Sequence, residues 1–168
     1  MALKMKEEII TRARKIKLLL MDCDGVLTDG RLYFTESGET MKVFHVRDGQ
    51  GLRMWHEAGF QSGIISGRNS EIVERRAREL GTRYVKIGSR DKLKCFAEIF
   101  EDAGVEVEEI AYIGDDLPDI DLMKKVGFAV TVADAVTEVF SFAHYTTQAK
   151  GGFGAVRETI ELILKFKN

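Results

Sequence analysis

The run Leu18-Leu19-Leu20-Met21 stops at Asp22-Cys23-Asp24-Gly25. An apolar run this short, bounded by charge on both sides, is a buried strand and not a helix, and it delivers two carboxylates to the end of that strand. Ile9, Ala13 and Ile16 recur at helical spacing just before it. The same grammar repeats downstream, with strands predicted at Ser62 to Ser66, Tyr84 to Ile87, Ile110 to Gly114 and Phe128 to Val132. Between and after them, Val73, Ala77 and Leu80, then Leu93, Phe96, Ala97, Phe100 and Ala103, then Val156, Ile160, Ile163 and Leu164 mark helix faces. Arg31 to Thr35 and Thr40 to His45 are β-prone stretches around Glu36-Ser37-Gly38-Glu39, which predicts an inserted hairpin. The sum is α/β: a Rossmann-like parallel sheet flanked by helices, with a β-hairpin insertion and no large cap domain. A hairpin that merely extends the sheet is the plainer alternative.

Composition narrows the functional classes. At 168 residues, with 45% hydrophobic and 31% charged side chains, the chain predicts one domain over 1–168 and excludes disorder, collagen and coiled coil. Lys plus Arg 25 against Asp plus Glu 27 leaves a net charge of -2, so no basic field recruits nucleic acid. Cys23 and Cys95 are too few for a disulfide scaffold, which fits a reducing cytoplasm. No apolar run approaches the roughly 20 residues of a membrane span, and no signal-peptide pattern occurs near the N-terminus, so no membrane partner is expected.

In open α/β sheets ligands sit outside the carboxyl ends of the strands. Here those ends carry Asp22, Ser66 and Gly114-Asp115-Asp116, the last followed by a polar loop containing the single proline, Pro118. Residues two apart on an extended chain face one side, which directs Asp22 and Asp24 to one small volume. Like charges that close become tolerable around a divalent cation, and oxygen-only ligands suit Mg²⁺. An isolated Asp-x-Asp-Gly is more often just an acidic turn. Asp115 and Asp119 add acids at i, i+4 spacing, Ser66 adds a hydroxyl, and Lys92 opens a helix after Gly88-Ser89-Arg90-Asp91.

In that order, Asp22-Cys23-Asp24-Gly25, Ser66, Lys92 and Gly114-Asp115-Asp116-Leu117-Pro118-Asp119 resemble the four motifs of the haloacid dehalogenase-like superfamily of phosphotransferases. A finer resemblance covers nearly the whole chain. Met21 to Gly30, Phe44-His45-Val46-Arg47-Asp48-Gly49, Ile65-Ser66-Gly67-Arg68 and Gly151 to Glu158 are similar to the phosphatases of 3-deoxy-D-manno-octulosonate 8-phosphate. The resemblance implies an Mg²⁺-dependent phosphomonoesterase of lipopolysaccharide precursor synthesis, releasing a sugar acid and phosphate through an aspartyl-phosphate on Asp22. Asp24 would be acid and then base. The Asp22 carboxylate, the Asp24 carbonyl and Asp115 would hold the metal. Ser66, Lys92 and the N–H groups from Gly25 onward would hold phosphoryl oxygens. Asp116 and Asp119 would stand behind these groups, Asp119 orienting Lys92 or water.

The same resemblance implies substrate contacts from Gly25, His45, Val46, Arg47, Asp48, Gly49, Arg53, Arg68 and Arg76, and a homotetramer whose hairpins and glycine-rich tails close neighbouring sites. Arginine suits a bidentate grip on a sugar acid's carboxylate. Any single surface arginine is more often a solvated charge. His56 and His144 lack partner spacing for a metal and take no role, and Cys23 reads as a packed side chain. Gly151, Gly152 and Gly154, costly to order, suggest a mobile lid. Alternatives are a phosphatase for a nine-carbon keto-deoxy acid, a phosphoacceptor signalling domain, or a noncatalytic assembly domain. A receiver-type domain would place acceptor and acidic pair on different strands, whereas Asp22 and Asp24 share one.

Overall fold

A computed structural model describes residues 2–167 of the chain, with side chains from Glu7 onward. Helix α1 (Ala2–Lys15) leads into β1 (Leu18–Met21), and a two-stranded hairpin follows, β2 (Tyr33–Thr35) and β3 (Gly38–Met41). Then come α2 (Val46–Glu57), β4 (Gln61–Ser66), α3 (Glu71–Leu80), β5 (Tyr84–Ile87), α4 (Lys92–Ala103) and β6 (Ile110–Gly114). The chain ends with α5 (Ile120–Met123), β7 (Phe128–Thr131), β8 (Tyr145–Thr146) and α6 (Ala155–Lys165).

The main sheet is all parallel with order β5-β4-β1-β6-β7-β8. From β1 the chain winds outward through β4 and β5, then returns to β6 on the other side and winds through β7 and β8. The reversal of direction falls between β1 and β6, where such sheets open a crevice. Met21 pairs with Ile64 and Ile113, so Asp22 leaves the sheet at its centre.

Period-two alternation in β1 splits its side chains between two cores. Leu19 and Met21 pack with Ile64, Ile113 and Phe128 under Ala13, Leu52, Trp55 and Ile160 of α1, α2 and α6. Leu18 and Leu20 pack with Ile65 and Tyr112 under Phe96, Ile99 and Leu122 of α4 and α5. Both faces of the sheet are therefore covered, which is why its central strands read as unbroken apolar runs. Asp48 ties the last helix to this frame. Its buried carboxylate accepts the backbone N–H of Gly154 (3.2 Å) and of Arg157 (2.8 Å), capping the N-terminus of α6 from α2.

Several sequence readings need correction. The hairpin is a separate sheet and does not extend the main one, its strands are shorter than predicted, and Glu36 and Ser37 alone connect them. Strand β8 was too short to register as an apolar run. Pro118 lies in a short 3-10 helix, Leu117–Asp119, where its missing N–H is harmless at a helix start. The segment after Asp22 turns instead of extending: the carbonyl of Cys23 accepts the N–H of Leu27 (2.9 Å) and Thr28 (3.1 Å).

Candidate active site

The turn that begins at Cys23 presents Asp22 inward. Asp22 Oδ1 accepts the Cys23 N–H at 2.7 Å, and Oδ2 lies 3.0 Å from Lys92 Nζ. Lys92 enters from the start of α4, whose N-cap Asp91 accepts the N–H of Lys94 at 2.9 Å. Its ammonium is also 2.6 Å from Asp119 Oδ1, which in turn accepts the Tyr112 hydroxyl at 2.5 Å. The other oxygen of Asp119 accepts the N–H groups of Asp115 (2.9 Å) and Asp116 (3.1 Å). Asp119 is thus fully engaged in fixing Lys92 and the loop after β6. Gly114 permits this, since a β-carbon there would fall 2.4 Å from the Asp119 β-carbon.

Carboxylate oxygens of Asp22, Asp115 and Asp119 lie within 4.8 Å of one another. With Asp119 occupied, Asp22 and Asp115 remain, and Oδ1 of Asp115 is buried with no hydrogen-bond partner. Burial pushes the Asp22 carboxyl up to about 6 against the pull of Lys92. Burial, then the charges of Asp22 and Asp119, push Asp115 up to about 8. A buried acid and a half-buried one that each resist ionisation, the second with an orphaned oxygen, fit a divalent cation with hard-oxygen preference. Lys92 behaves oppositely: burial works against its charge, yet Asp22 and Asp119 hold its pKa above the ordinary value.

Asp24, two residues on, has different neighbours. Lys42, just past β3, pairs with its Oδ1, and Arg68 Nε stands 3.6 Å from its Oδ2. Asp22, Asp24, Ser66, Arg68, Lys92 and Asp115 all line one cavity of about 440 Å³, with Lys42 behind Asp24 and outside the lining. Arg90, assigned no role from the sequence, and Pro118 form another part of its wall. Cys23 is fully buried beside them, and burial followed by the flanking acids drives its thiol well above the usual range, so it is inert packing.

Asp116 also lines this cavity and Gly25 packs against Asp115, whereas the candidates from His45 to Gly49, Arg53 and Arg76 do not line it. Val46, Gly49, Arg53 and Arg76 line a second one between α2 and α3. A β-carbon on Gly49 would come 2.6 Å from Arg76 Nη2, so this glycine makes room for the guanidinium. Arg47 lines a third cavity beside Arg157. His45 is the N-cap of α2, its Nδ1 accepting the Arg47 N–H at 3.2 Å, and Asp48 caps α6 as described. Sequence reasoning missed Lys42, Glu39 and Tyr112. A lysine and a glutamate in a polar hairpin carry no local mark of burial, and Tyr112 reads as one more core aromatic.

A haloacid dehalogenase-like hydrolase family matches residues 43–127. With that match over half of the chain and the relatives that follow, the chain belongs to the haloacid dehalogenase-like hydrolases. Among its relatives is the 3-deoxy-D-manno-octulosonate 8-phosphate phosphatase KdsC of Yersinia pestis, 44% identical over 94% of this chain and 84% of that protein. The solved Yersinia pestis enzyme superposes with a TM-score of 0.94 at 43% identity, covering 96% of this chain and 87% of that one. The Moraxella catarrhalis phosphatase, solved with magnesium, phosphate and KDO, gives a TM-score of 0.92 at 42% identity over 96% and 93% of the two chains.

Proposed function

We propose that this single-domain protein hydrolyses 3-deoxy-D-manno-octulosonate 8-phosphate to the free sugar acid and phosphate, for lipopolysaccharide precursor synthesis in the cytoplasm. The observation that carries the reading is the convergence of Asp22, Lys92 and Asp115 on one cavity, with Asp24 on its wall. Relatives at this level of identity bear that activity in their names.

Asp22 is the nucleophile: its carboxylate attacks phosphorus, and Lys92 holds it in place. Lys92 and the Ser66 hydroxyl grip phosphoryl oxygens, which a positioned ammonium and hydroxyl do at no reorganisation cost. Asp24 gives its proton to the departing sugar oxygen and then takes one from the water that cleaves the aspartyl-phosphate. Asp22, Asp115 and the Asp24 carbonyl would hold Mg²⁺, which would supply charge neutralisation at the phosphoryl group. Arg68, half-exposed at the cavity mouth, is placed to pair with the sugar acid's carboxylate.

His45, Val46, Arg47, Arg53 and Arg76 lie outside this cavity, which supports a homotetramer in which they serve a neighbour's substrate. Exposed Leu32, Phe34, Met41 and Val43 on and beside the hairpin supply an apolar surface for that contact. Phosphate release from the eight-carbon ester beside a nine-carbon keto-deoxy ester tests the substrate: equal or greater turnover of the latter transfers the reading to that class. Light scattering tests the assembly, and an active monomer overturns it.

A further inference from the structure

Lys42 is a buried charge that the reaction outlined above leaves without a role. It follows the last strand of the hairpin, and its side chain is 1% exposed. A lysine so enclosed persists only when paired, and here the partners are specific. Its ammonium contacts Asp24 Oδ1 and lies 3.1 Å from Glu39 Oε1. The second oxygen of Glu39 accepts the Ser70 hydroxyl at 2.5 Å. Ser70 is the N-cap of α3, so a continuous polar line runs from the body of the domain through the hairpin to the acid on the Asp22 loop.

The two oxygens of Asp24 are left unequal. Lys42 occupies Oδ1, whereas Oδ2 is buried without a hydrogen bond and faces only the half-exposed Arg68, whose Nε stands 3.6 Å away. Asp24 sits on a turn, with neither helix nor strand to fix its side chain, so its aim has to come from outside the loop. We propose that Lys42 is a positioning residue for Asp24: it anchors Oδ1 to the hairpin and reserves Oδ2 for proton exchange with the ester oxygen and then with water. This rests on the reading of Asp24 as acid and base. As Asp22 bonds to phosphorus, the phosphorus–ester bond breaks, its electron pair passes to the ester oxygen, and Oδ2 hands that oxygen its proton. The hairpin thereby acts on its own chain's chemistry, whatever it does between subunits.

The test is the leaving-group dependence of kcat/KM over a series of substituted phenyl phosphates, which lack the sugar acid's carboxylate and so do not report on its recognition. A well-aimed acid flattens that dependence, because poor leaving groups receive a proton as they depart. Wild type and Lys42→Arg should give a shallow slope, and Lys42→Met a steep one. The nitrophenyl ester, which leaves without a proton, should hold within about threefold while the sugar-acid phosphate falls roughly tenfold or more. An unchanged slope in a folded Lys42→Met variant overturns the proposal, as does a wild type that is already steep. If Lys42→Met loses its fold, Glu39→Gln, which loosens Lys42 but keeps its charge, carries the same test, and an unchanged slope there also overturns it. A wild type active on aryl esters but not on the sugar-acid phosphate defeats the substrate reading alone. Asp24→Asn with a shallow slope defeats the acid–base reading.

Discussion

Gly25 and Asp115 are pressed together so closely that a β-carbon on Gly25 would stand 2.0 Å from Asp115 Oδ2. Gly25 also has φ +95, a conformation that side-chain-bearing residues rarely adopt. The missing side chain is what lets the acid of β6 reach the loop of β1. Gly25→Ala should therefore displace Asp115, weaken Mg²⁺ binding and lower stability by about 1–3 kcal/mol. Isothermal titration with Mg²⁺ and denaturant melts check both parts.

Asp22→Asn should reduce turnover roughly a thousandfold or more, the scale on which essential catalytic groups fall. The fold should persist, because the amide occupies the same volume and Lys92 keeps Asp119. Burial disfavours the Asp22 charge, so the melting temperature without divalent ions should stay equal or rise. A variant with near-normal phosphate release would remove Asp22 from the nucleophile's role.

Mg²⁺ should raise the melting temperature even without substrate, since it binds a pair of acids that only the folded chain assembles. At a hundredfold excess over its dissociation constant the gain is about 2.7 kcal/mol, or roughly 5 °C or more for a domain of this size. Asp115→Asn should erase the shift, and thorough chelation should silence the wild type. Scanning fluorimetry reads the first effect and phosphate release the second.

His144 predicts acid sensitivity remote from the cavity. Its Nδ1 accepts the Ala129 N–H at 2.9 Å, and burial followed by the Arg12 charge holds its pKa below the ordinary 6.5. The unfolded chain therefore takes up a proton that the folded chain refuses, and stability falls as pH drops from 6.5 toward the folded-state value. His56, lowered by burial, adds in the same direction. Urea melts across this range should show the loss, and His144→Asn, whose amide oxygen can accept the same N–H, should make it shallower.

The acids and Lys92 were legible because each stands where an apolar run ends or a helix begins, and topology then leaves them one place to meet. Asp119 was legible only as an extra acid, and its grip on Lys92 needed coordinates. The hairpin's contribution was illegible for a physical reason: Lys42 and Glu39 are paired with residues distant in sequence, with Asp24 18 positions before Lys42 and Ser70 31 after Glu39. Asp48 misled in another way. It matched a substrate loop by motif, yet its contacts lie 106 and 109 positions away on the cap of α6.

The glycines expected to form a lid are instead a wedge within the same chain. Gly151 approaches so near that a β-carbon would meet the Gly25 carbonyl at 1.7 Å, and the Gly152 N–H donates to the carbonyl of Val26 at 2.9 Å. The loop between Asp22 and the hairpin is thus buttressed by residues that leave the ribosome more than a hundred positions later. While the chain is being made, Asp22 and Asp24 are present long before the backbone that shapes their turn. The shape of the turn after Asp22 is therefore a long-range property of the fold, set only once backbone from Gly151 and Gly152 has docked against it.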